Sequence, residues 1–568
     1  MTKPTRRLVL LAITLVLAGV LYMVVVDVDT VNVRTWVLDA NSGVPELTDS
    51  ELAVPGLQDR PSFGIAFSGG GTRSATATLG QLRALNELGW LDRARHVSSN
   101  SGGSWAVLPY IYLPLAIDER RFLGDYIRPE DLNESNLHPP TTDPLALGTA
   151  IHNAGAINKF FELGRGDEAY SDVVASIFLE PFGLHDNDKY FTFHQGALDH
   201  AVAANPSLGR ASFEMVEREN RPYLVVTGVM IGQQLSQDPE EYYPIEMTPL
   251  YTGIRGRFEL DKDNQTVIVG GGYVESFGYD SYEPRNRLRN GRWPVRLTGL
   301  VQRGDKPVGD RYRFTLSDML GATSAAPLAT LSRNLVPNFL FPEFRHWSVD
   351  RDEYRQAPER VRRIADEFQH GDGADMDNLA LTPLLARKTE NIIVFINSEE
   401  VFRKPDRGCG DMSEDNLTDD VISYFRETGV LIHNVVFADD ENGLANICEA
   451  FAARQGAGEP LVYCQDYNVL ENDRHMISPY RTSICWVHLD RSERWIEQLD
   501  PTAGELVRDL RDGEGSFENF PHYLTFAEQA ASLIDLNRER VIALSNLAAW
   551  TVFESAEYIE ESLSLQRD

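Results

Sequence analysis

A serine in a short turn between a predicted strand and a predicted helix is the first residue that could carry out chemistry. The segment HVSSNSGGSW places Ser99 two residues before Ser101 and Gly103 two residues after it. A nucleophilic serine at such an elbow needs small residues at both places, because the strand and the helix nearly touch there. The pattern therefore predicts a nucleophile elbow of the G-x-S-x-G type, with Ser99 in place of the first glycine. Taken alone, it also fits an ordinary polar turn.

A second turn, rich in glycine, lies about 30 residues upstream, after the predicted strand Phe63–Phe67. Its sequence, FSGGGTR, continues with Thr-Arg where a Walker loop requires Lys-Ser or Lys-Thr. Ser74 occupies the position of the third glycine of a dinucleotide fingerprint. We therefore expect no nucleotide at this loop.

The two turns belong to one predicted strand–helix–strand–helix unit, which carries both at the same edge of a parallel sheet. Backbone N–H groups of the glycine loop would then lie beside the Ser101 hydroxyl, as an oxyanion hole requires. A serine hydroxyl also needs a base that accepts its proton. Asp372, in the Asp-Gly-Ala turn of HGDGADMDN, is the candidate. An aspartate in such a turn is otherwise commonly structural.

The motifs SGGGTR, NSGGSW and DGADMDN, in this order, resemble the catalytic core shared by patatins, fungal phospholipase B and the cytosolic phospholipase A2 family. The block GATSAAPLA (Gly321–Ala329) is similar to a patatin segment. The run YYPIEMTPLYTG is similar to the Glu-hydrophobic-Thr-Pro run of the phospholipase A2/B branch. These motifs reach from about residue 63 to about residue 400.

The resemblance implies an α/β fold of three layers, α/β/α, with a central, mostly parallel mixed sheet and helical cap insertions. It also implies a Ser-Asp dyad, in which Ser101 attacks an ester carbonyl and Asp372 accepts the serine proton. Gly70 and Gly71 would donate the N–H groups of the oxyanion hole, and Gly69 would help to shape the loop. No metal and no cofactor are implied. Calcium is not expected, because no lipid-binding calcium domain precedes the core.

Arg73 follows the glycine loop, and the resemblance implies that it holds the phosphate of a phospholipid or lysophospholipid substrate through a charge-assisted contact. In an alternative, a neutral-lipid or carboxylester hydrolase, Arg73 would steady the loop and bind no phosphate. A catalytically inactive lipid-binding module on the same fold is a further alternative. A Ser-Asp-His triad also stays open, with four late histidines as candidates: His433, His475, His488 and His522.

The sequence departs from the family pattern at two site positions, where Ser99 and Ala374 replace glycine. Both exchanges keep a small side chain, so we expect both turns to form. Two other segments look like site motifs but are interpreted as structural. Ser324 would belong to a helix packed through small residues, and Gly270–Gly272 would form a strand turn.

An apolar run near the N-terminus predicts a membrane anchor. Residues 8–26 contain no charged side chain and would span roughly 28 Å as a helix, close to the thickness of a bilayer core. The basic residues within 1–7 should stay in the cytoplasm, which would put the catalytic part outside it, in a periplasm or the extracellular space. A cleaved signal peptide is the alternative.

The charge balance excludes several classes of partner. The chain has 53 Lys and Arg against 85 Asp and Glu, a formal net charge of −32. Binding to nucleic acid requires an excess of cations at the phosphates, so no nucleic acid is expected. Electrostatic docking on anionic lipid is excluded for the same reason. The expected partners are the lipid substrate and the membrane that residues 8–26 would enter.

Residues 27–60 contain several helix breakers and are interpreted as an extracytoplasmic tether, with a catalytic body from Pro61 to the end of the chain. Within this body, residues 115–200 are predicted to be a cap insertion and residues 401–568 a C-terminal part. The pattern also predicts the following elements: strands at Tyr223–Gly232, Tyr242–Ile254 and Asn391–Asn397, and a charged helix near 351–369.

All four cysteines lie in the C-terminal part, and outside the cytoplasm they would suit one or two disulfides. The sequence does not rank the pairings, and buried free thiols are the alternative. The four residues are Cys409, Cys448, Cys464 and Cys485.

Overall fold

The structure of the 568-residue chain is a computed structural model. The predicted anchor at 8–26 lies outside the residues that it describes. Within the described part, none of the helices combines the length and the apolar character that a membrane span requires. The described residues are 30–38, 47–155, 170–232, 241–262, 265–282, 284, 291–297, 313–325, 342–349, 366–405, 408–409, 436–437, 443–523 and 535–565.

The strands are numbered in chain order. They are β1 (Thr30–Val33), β2 (Thr35–Val37), β3 (Phe63–Phe67), β4 (His96–Ser99), β5 (Tyr190–Thr192), β6 (Phe213–Met215), β7 (Tyr223–Ile231), β8 (Tyr242–Met247), β9 (Tyr251–Lys262), β10 (Gln265–Glu275), β11 (Trp293–Arg296), β12 (Glu343–His346), β13 (Asp366–Gly371), β14 (Asn391–Ile396), β15 (Leu461–Val469) and β16 (Tyr480–His488).

The α-helices are numbered in the same way. They are α1 (Asp49–Leu52), α2 (Gly71–Glu87), α3 (Trp90–Arg93), α4 (Ser101–Ile111), α5 (Glu119–Leu123), α6 (Glu134–Leu137), α7 (Leu147–His152), α8 (Tyr170–Phe178), α9 (Gln195–Ala204), α10 (Leu316–Thr323), α11 (Ala374–Asp377), α12 (Thr382–Ala386), α13 (Gly443–Gly456), α14 (Glu493–Gln498), α15 (Gly504–Asp512), α16 (Arg538–Glu554) and α17 (Ala556–Ser562).

One twelve-stranded sheet forms the centre of the molecule, in the order β15-β16-β14-β3-β4-β7-β8-β9-β10-β2, with β13 beside β7 and β12 beside β13. Its middle, from β16 to β7, is parallel. The predicted α/β fold with a large central mixed sheet is confirmed. The prediction that the sheet is mostly parallel is wrong, because the other described pairings in it are antiparallel. Strands β8, β9 and β10 follow each other through short connections, which allow only antiparallel neighbours.

The parallel middle of the sheet is the part that positions the candidate site. Every residue of β3, β4 and β7 is buried, as expected for strands covered on both faces. Strand β3 leads into the glycine loop and α2, and β4 leads into the serine turn and α4. The two strands pair directly, from Gly64 opposite His96 to Phe67 opposite Ser99. Both turns therefore emerge side by side, as the sequence predicts.

The body of the protein begins before Pro61, the start predicted from sequence. Strand β2 lies within the predicted tether but pairs with β10 at the edge of the main sheet. Strand β1 pairs with β11, and both of its valines, Val31 and Val33, are fully buried. The glycine and proline residues that suggested a tether break helices, but they do not prevent short extended segments from joining a sheet.

Two other local predictions differ from the structure. The charged helix predicted near 351–369 lies mostly outside the described residues, and its end is instead strand β13, which pairs with β7. Gly270–Gly272 does not form a turn between strands. It interrupts the register of β10 against β9 as a bulge, with φ of 77°, 76° and 141° at its three residues. The tertiary pairing, which local patterns do not encode, decides both cases.

Helix α2, which begins at the glycine loop, is held from outside by the long C-terminal helix α16. The two helices approach so closely at Gly80 that a Cβ there would lie 1.9 Å from the Ser545 carbonyl oxygen. Among the described residues of the predicted cap, 115–155 and 170–200, the structure contains α5 to α9 and the short strand β5.

The C-terminal part contributes the outer strands β15 and β16 to the main sheet. Cys464 and Cys485 stand opposite each other on these strands and form a disulfide. A second disulfide joins Cys409 to Cys448, on helix α13.

Candidate active site

The turn after β4 has the geometry of a nucleophile elbow. Ser101 has a φ of 46°, in the left-handed region that residues other than glycine rarely adopt, whereas Asn100 before it is extended. Such strain at a serine between a strand and a helix presents the hydroxyl at the edge of the sheet. Ser101 is 3 % exposed. Gly103 has to be glycine, because a Cβ there would lie 2.7 Å from the Ser68 carbonyl oxygen.

The glycine loop lies directly against this elbow. A Cβ on Gly69 would lie 3.1 Å from Cβ of Ser101, and a Cβ on Gly102 would lie 2.0 Å from the Gly71 carbonyl oxygen. Gly70 and Gly71 have φ of 129° and 56°, a conformation that favours glycine. The Gly69 N–H donates to the Asn378 carbonyl at 2.8 Å. Gly69 thus ties the loop to the segment after Asp372, which fits its predicted role in shaping the loop.

The candidate base lies in the turn between β13 and α11. Asp372 is 8 % exposed, and its Oδ1 accepts the Ala374 N–H at 2.9 Å. The same oxygen accepts the Asn100 side-chain amide at 3.0 Å. Asn100 is the residue next to Ser101, so one side chain connects the predicted nucleophile to the predicted base. The structure therefore brings Ser101 and Asp372 into one cluster, although 271 positions separate them in the sequence.

Asn100 and Thr323 are site residues that the sequence analysis did not identify. Thr323, the last residue of α10, accepts the Ser101 N–H at 3.0 Å and donates to the Thr227 carbonyl at 2.5 Å. Thr323 belongs to the GATSAAPLA block, and the resemblance of this block to a patatin segment was the sequence signal that could have identified it. The neighbouring Ser324 follows the end of α10 and donates to the Leu320 carbonyl of that helix at 2.7 Å, as a structural serine would.

Arg73 is buried and bonded to protein acceptors. The residue is 3 % exposed, and its guanidinium donates to the carbonyls of Asn397, at 3.0 Å, and Tyr523, at 2.6 Å. It also forms an ion pair with Glu399 at 3.1 Å. Burial lowers the pKa of Arg73, and the charge of Glu399 opposes that shift. These contacts favour the second predicted role, in which Arg73 steadies the glycine loop, over contact with a phosphate.

Of the four late histidines, the structure describes three, His475, His488 and His522. His522 contacts Asp490 through Nε2 at 2.7 Å, and its Nδ1 lies 3.3 Å from the Ser398 carbonyl. Burial lowers the pKa of both His475 and His488 to about 4, so both rings are neutral near pH 7. His433 lies outside the described residues. The contacts of His522 with Asp490 and Ser398 favour the dyad over a triad that would use His522.

A second buried polar cluster, the Arg387 cluster, consists of Glu51, His96, Glu246, Tyr251, Tyr273 and Arg387. Arg387 donates to Glu51 at 3.1 Å and to Glu246 at 2.9 Å, and its own side chain is fully buried. Glu246 belongs to the YYPIEMTPLYTG run that contributed to the family resemblance. That glutamate thus has an ionic partner in the interior of the fold.

Three solved structures of human GIVD cytosolic phospholipase A2 are similar to this chain. The first has a TM-score of 0.45 and 13 % identity, and covers 93 % of this chain and 64 % of that one. Two complexes with methyl gamma-linolenyl fluorophosphonate, one also with terbium chloride, have TM-scores of 0.39 and 0.37 at 14 % identity, and cover 93 % of this chain and 61 % of theirs. The chain thus matches less than two thirds of these phospholipase chains. No family model and no curated protein matches it.

Proposed function

We propose that the protein is a serine hydrolase of lipid acyl esters, with Ser101 as the nucleophile and Asp372 as the base. The observation that carries this proposal is the elbow at Ser101. Ser101 has a left-handed φ of 46°, and the side chain of the preceding residue, Asn100, donates to Asp372. Strained serine turns of this kind occur where a hydroxyl is presented to a substrate.

The proposed reaction has two halves. Ser101 Oγ attacks the ester carbonyl carbon while Asp372 accepts the hydroxyl proton, and the negative charge on the carbonyl oxygen is stabilised by N–H groups of Gly70 and Gly71. The C–O bond to the alcohol then breaks, and the alcohol leaves with the proton from Asp372. Water attacks the acyl-enzyme in the same way, Asp372 accepts its proton, and the fatty acid is released as Ser101 recovers its hydrogen.

The proposed substrates are phospholipids or lysophospholipids, on the strength of the motif resemblance. The contacts of Arg73 favour a second candidate, a neutral-lipid or carboxylester hydrolase, because its guanidinium is bonded to protein acceptors. Hydrolysis of phosphatidylcholine and of a triglyceride with the same acyl chains distinguishes the two. An Arg73→Ala variant should lose both activities equally if the arginine steadies the loop. A loss of activity toward phosphatidylcholine alone would indicate that Arg73 binds the substrate phosphate.

A membrane-anchored protein with an extracytoplasmic catalytic domain is part of the proposal. It is supported by the apolar run at 8–26 and by the two disulfides, which persist in oxidising compartments. Carbonate extraction of membranes tests the anchor: the full chain should stay in the pellet, and a chain that starts at residue 27 should not. Release of the full chain would contradict the anchor without affecting the catalytic proposal.

A fluorophosphonate probe tests the nucleophile. The wild type should be labelled at Ser101, and Ser101→Ala should remove the label. Ser324→Ala is the matched control, because Ser324 is also a buried serine but its hydroxyl donates to the Leu320 carbonyl. We expect it to be labelled like the wild type. Label that persists in Ser101→Ala would contradict the proposed nucleophile.

A further inference from the structure

Asn100 lies between Ser99, the last residue of β4, and Ser101, the proposed nucleophile. Its side chain is completely buried, and both ends of its amide are engaged. Nδ2 donates to Asp372 Oδ1 at 3.0 Å, and Oδ1 accepts the Gly373 N–H at 3.2 Å. Thr323 Oγ1 lies 3.4 Å from the same Oδ1. One asparagine therefore contacts the aspartate turn and the threonine that binds the Ser101 N–H.

The partners define which way the amide points. A backbone N–H can only donate, so the atom that faces Gly373 must be the oxygen. The nitrogen then faces Asp372, where an ionised carboxylate can only accept. Gly373 has to be glycine for this approach, since a Cβ there would lie 2.8 Å from Asn100 Oδ1.

We infer that Asn100 is a positioning residue of the proposed hydrolase, whose side-chain amide holds the Asp372 carboxylate in the orientation that accepts the Ser101 proton. The inference rests on the proposed function. Two donors, the Asn100 amide and the Ala374 N–H, bind the same carboxylate oxygen, Oδ1. Two hydrogen bonds to one oxygen fix the rotation of the carboxylate and hence the direction of Oδ2. A displacement of a reacting group by about 1 Å can lower the rate of the reaction by about 10²-fold.

The rate of reaction with a fluorophosphonate probe measures this role without knowledge of the natural substrate. In this reaction Ser101 Oγ forms a bond to phosphorus, its proton passes to Asp372, and the P–F bond breaks to release fluoride. The limiting rate kinact reports proton transfer and attack, and KI reports binding of the probe. Loss of a positioning residue should therefore lower kinact and leave KI unchanged.

Asn100→Asp is the sharpest variant, because it keeps the shape and the oxygen toward Gly373 but replaces the donor to Asp372 by an acceptor. Asn205→Asp is its matched control. Asn205 is 2 % exposed, accepts the Asn32 N–H at 2.6 Å and donates to the Asn32 carbonyl at 3.1 Å, in contacts with β1. Both variants should lose stability, but we expect only Asn100→Asp to lower kinact, by about 10²-fold, with KI within about threefold of wild type.

Asn100→Ala provides a second test if Asn100→Asp does not fold, because it removes the donor without adding a charge. We expect kinact to fall at least about tenfold, measured on protein whose folded fraction is checked by circular dichroism. A kinact within twofold of wild type in a folded Asn100 variant would overturn the inference while leaving the proposed function intact. No reaction of the wild-type Ser101 would instead overturn the proposed function itself.

Discussion

The Asn100–Asp372 cluster and the Arg387 cluster are both buried and polar, but they are stabilised differently. In the first, a carboxylate accepts neutral N–H donors from Asn100 and Ala374. In the second, Arg387 lies between two carboxylates, Glu51 and Glu246. A buried guanidinium paired on both sides holds its geometry at the cost of desolvation. The Arg387 cluster is thus suited to hold elements together, whereas proton exchange is the role proposed for Asp372 in the first cluster.

The largest expected effect is a loss of esterase activity without a loss of thermal stability. Ser101→Ala removes one hydroxyl from the elbow, and esterase activity should fall by roughly 10⁴-fold or more. The melting temperature should stay close to that of the wild type, because the substitution removes one oxygen atom and leaves the backbone strain at this position unchanged. Activity assays and thermal unfolding on the same preparation measure both. A retained activity would contradict the assignment of the site.

The second prediction concerns the ion pairs of the Arg387 cluster. Arg387→Met leaves Glu51 and Glu246 buried without their shared cation, so the free energy of unfolding should fall by about 3–5 kcal/mol in urea titrations. The control is Arg120→Met, which also removes an arginine from an ion pair, with Asp125, but one whose side chain is 81 % exposed. Its unfolding midpoint should match the wild type. Equal effects of the two substitutions would show that burial does not distinguish these pairs.

The third prediction uses pH to examine the same cluster. Burial alone would raise the pKa of Glu51, but the Arg387 charge and the hydrogen bond with His96 lower it from 4.5 to about 2. A carboxyl with a lowered pKa stabilises the folded state above pH 4.5, and this contribution is lost as the pH falls toward 2. The loss amounts to about 3 kcal/mol.

Urea titrations of wild type and Glu51→Gln at several pH values between 6 and 3 measure this contribution. The variant should be less stable at pH 6, and its stability should decline less steeply between pH 4.5 and 3. Parallel pH curves for the two proteins would mean that Glu51 does not titrate in this range with folding.

The smallest expected effect concerns single hydroxyl groups. Tyr273 donates to Glu246 at 2.9 Å, so Tyr273→Phe should lower the free energy of unfolding by about 1.5–3 kcal/mol. Tyr112 is the control, because its hydroxyl is buried and, among the described residues, has no hydrogen-bond partner. Tyr112→Phe should leave stability unchanged or raise it. The reverse order would contradict the assigned contacts.

Much of the local structure could be predicted from sequence, because it depends on neighbours in the chain. The buried runs of β3 and β14 predict strands, and small residues around Ser101 predict the elbow. The parallel centre of the sheet follows from the crossovers through α2. The antiparallel outer strands were missed, and so was the role of β2 within the sheet. Strand pairing at long range depends on which surfaces fit together, and composition does not reveal it.

The sequence by itself determined which residues could react, since elbow geometry requires a small-residue pattern within a few positions of Ser101. Only the tertiary structure decided how those residues are held. Asn100 and Asp372 are 272 positions apart, and Arg73 reaches the Tyr523 carbonyl across 450 positions. Hydrogen bonds need atoms within about 3 Å of each other, a condition that spacing along the chain cannot specify. The packing of β4, β13 and α2 around the site meets that condition.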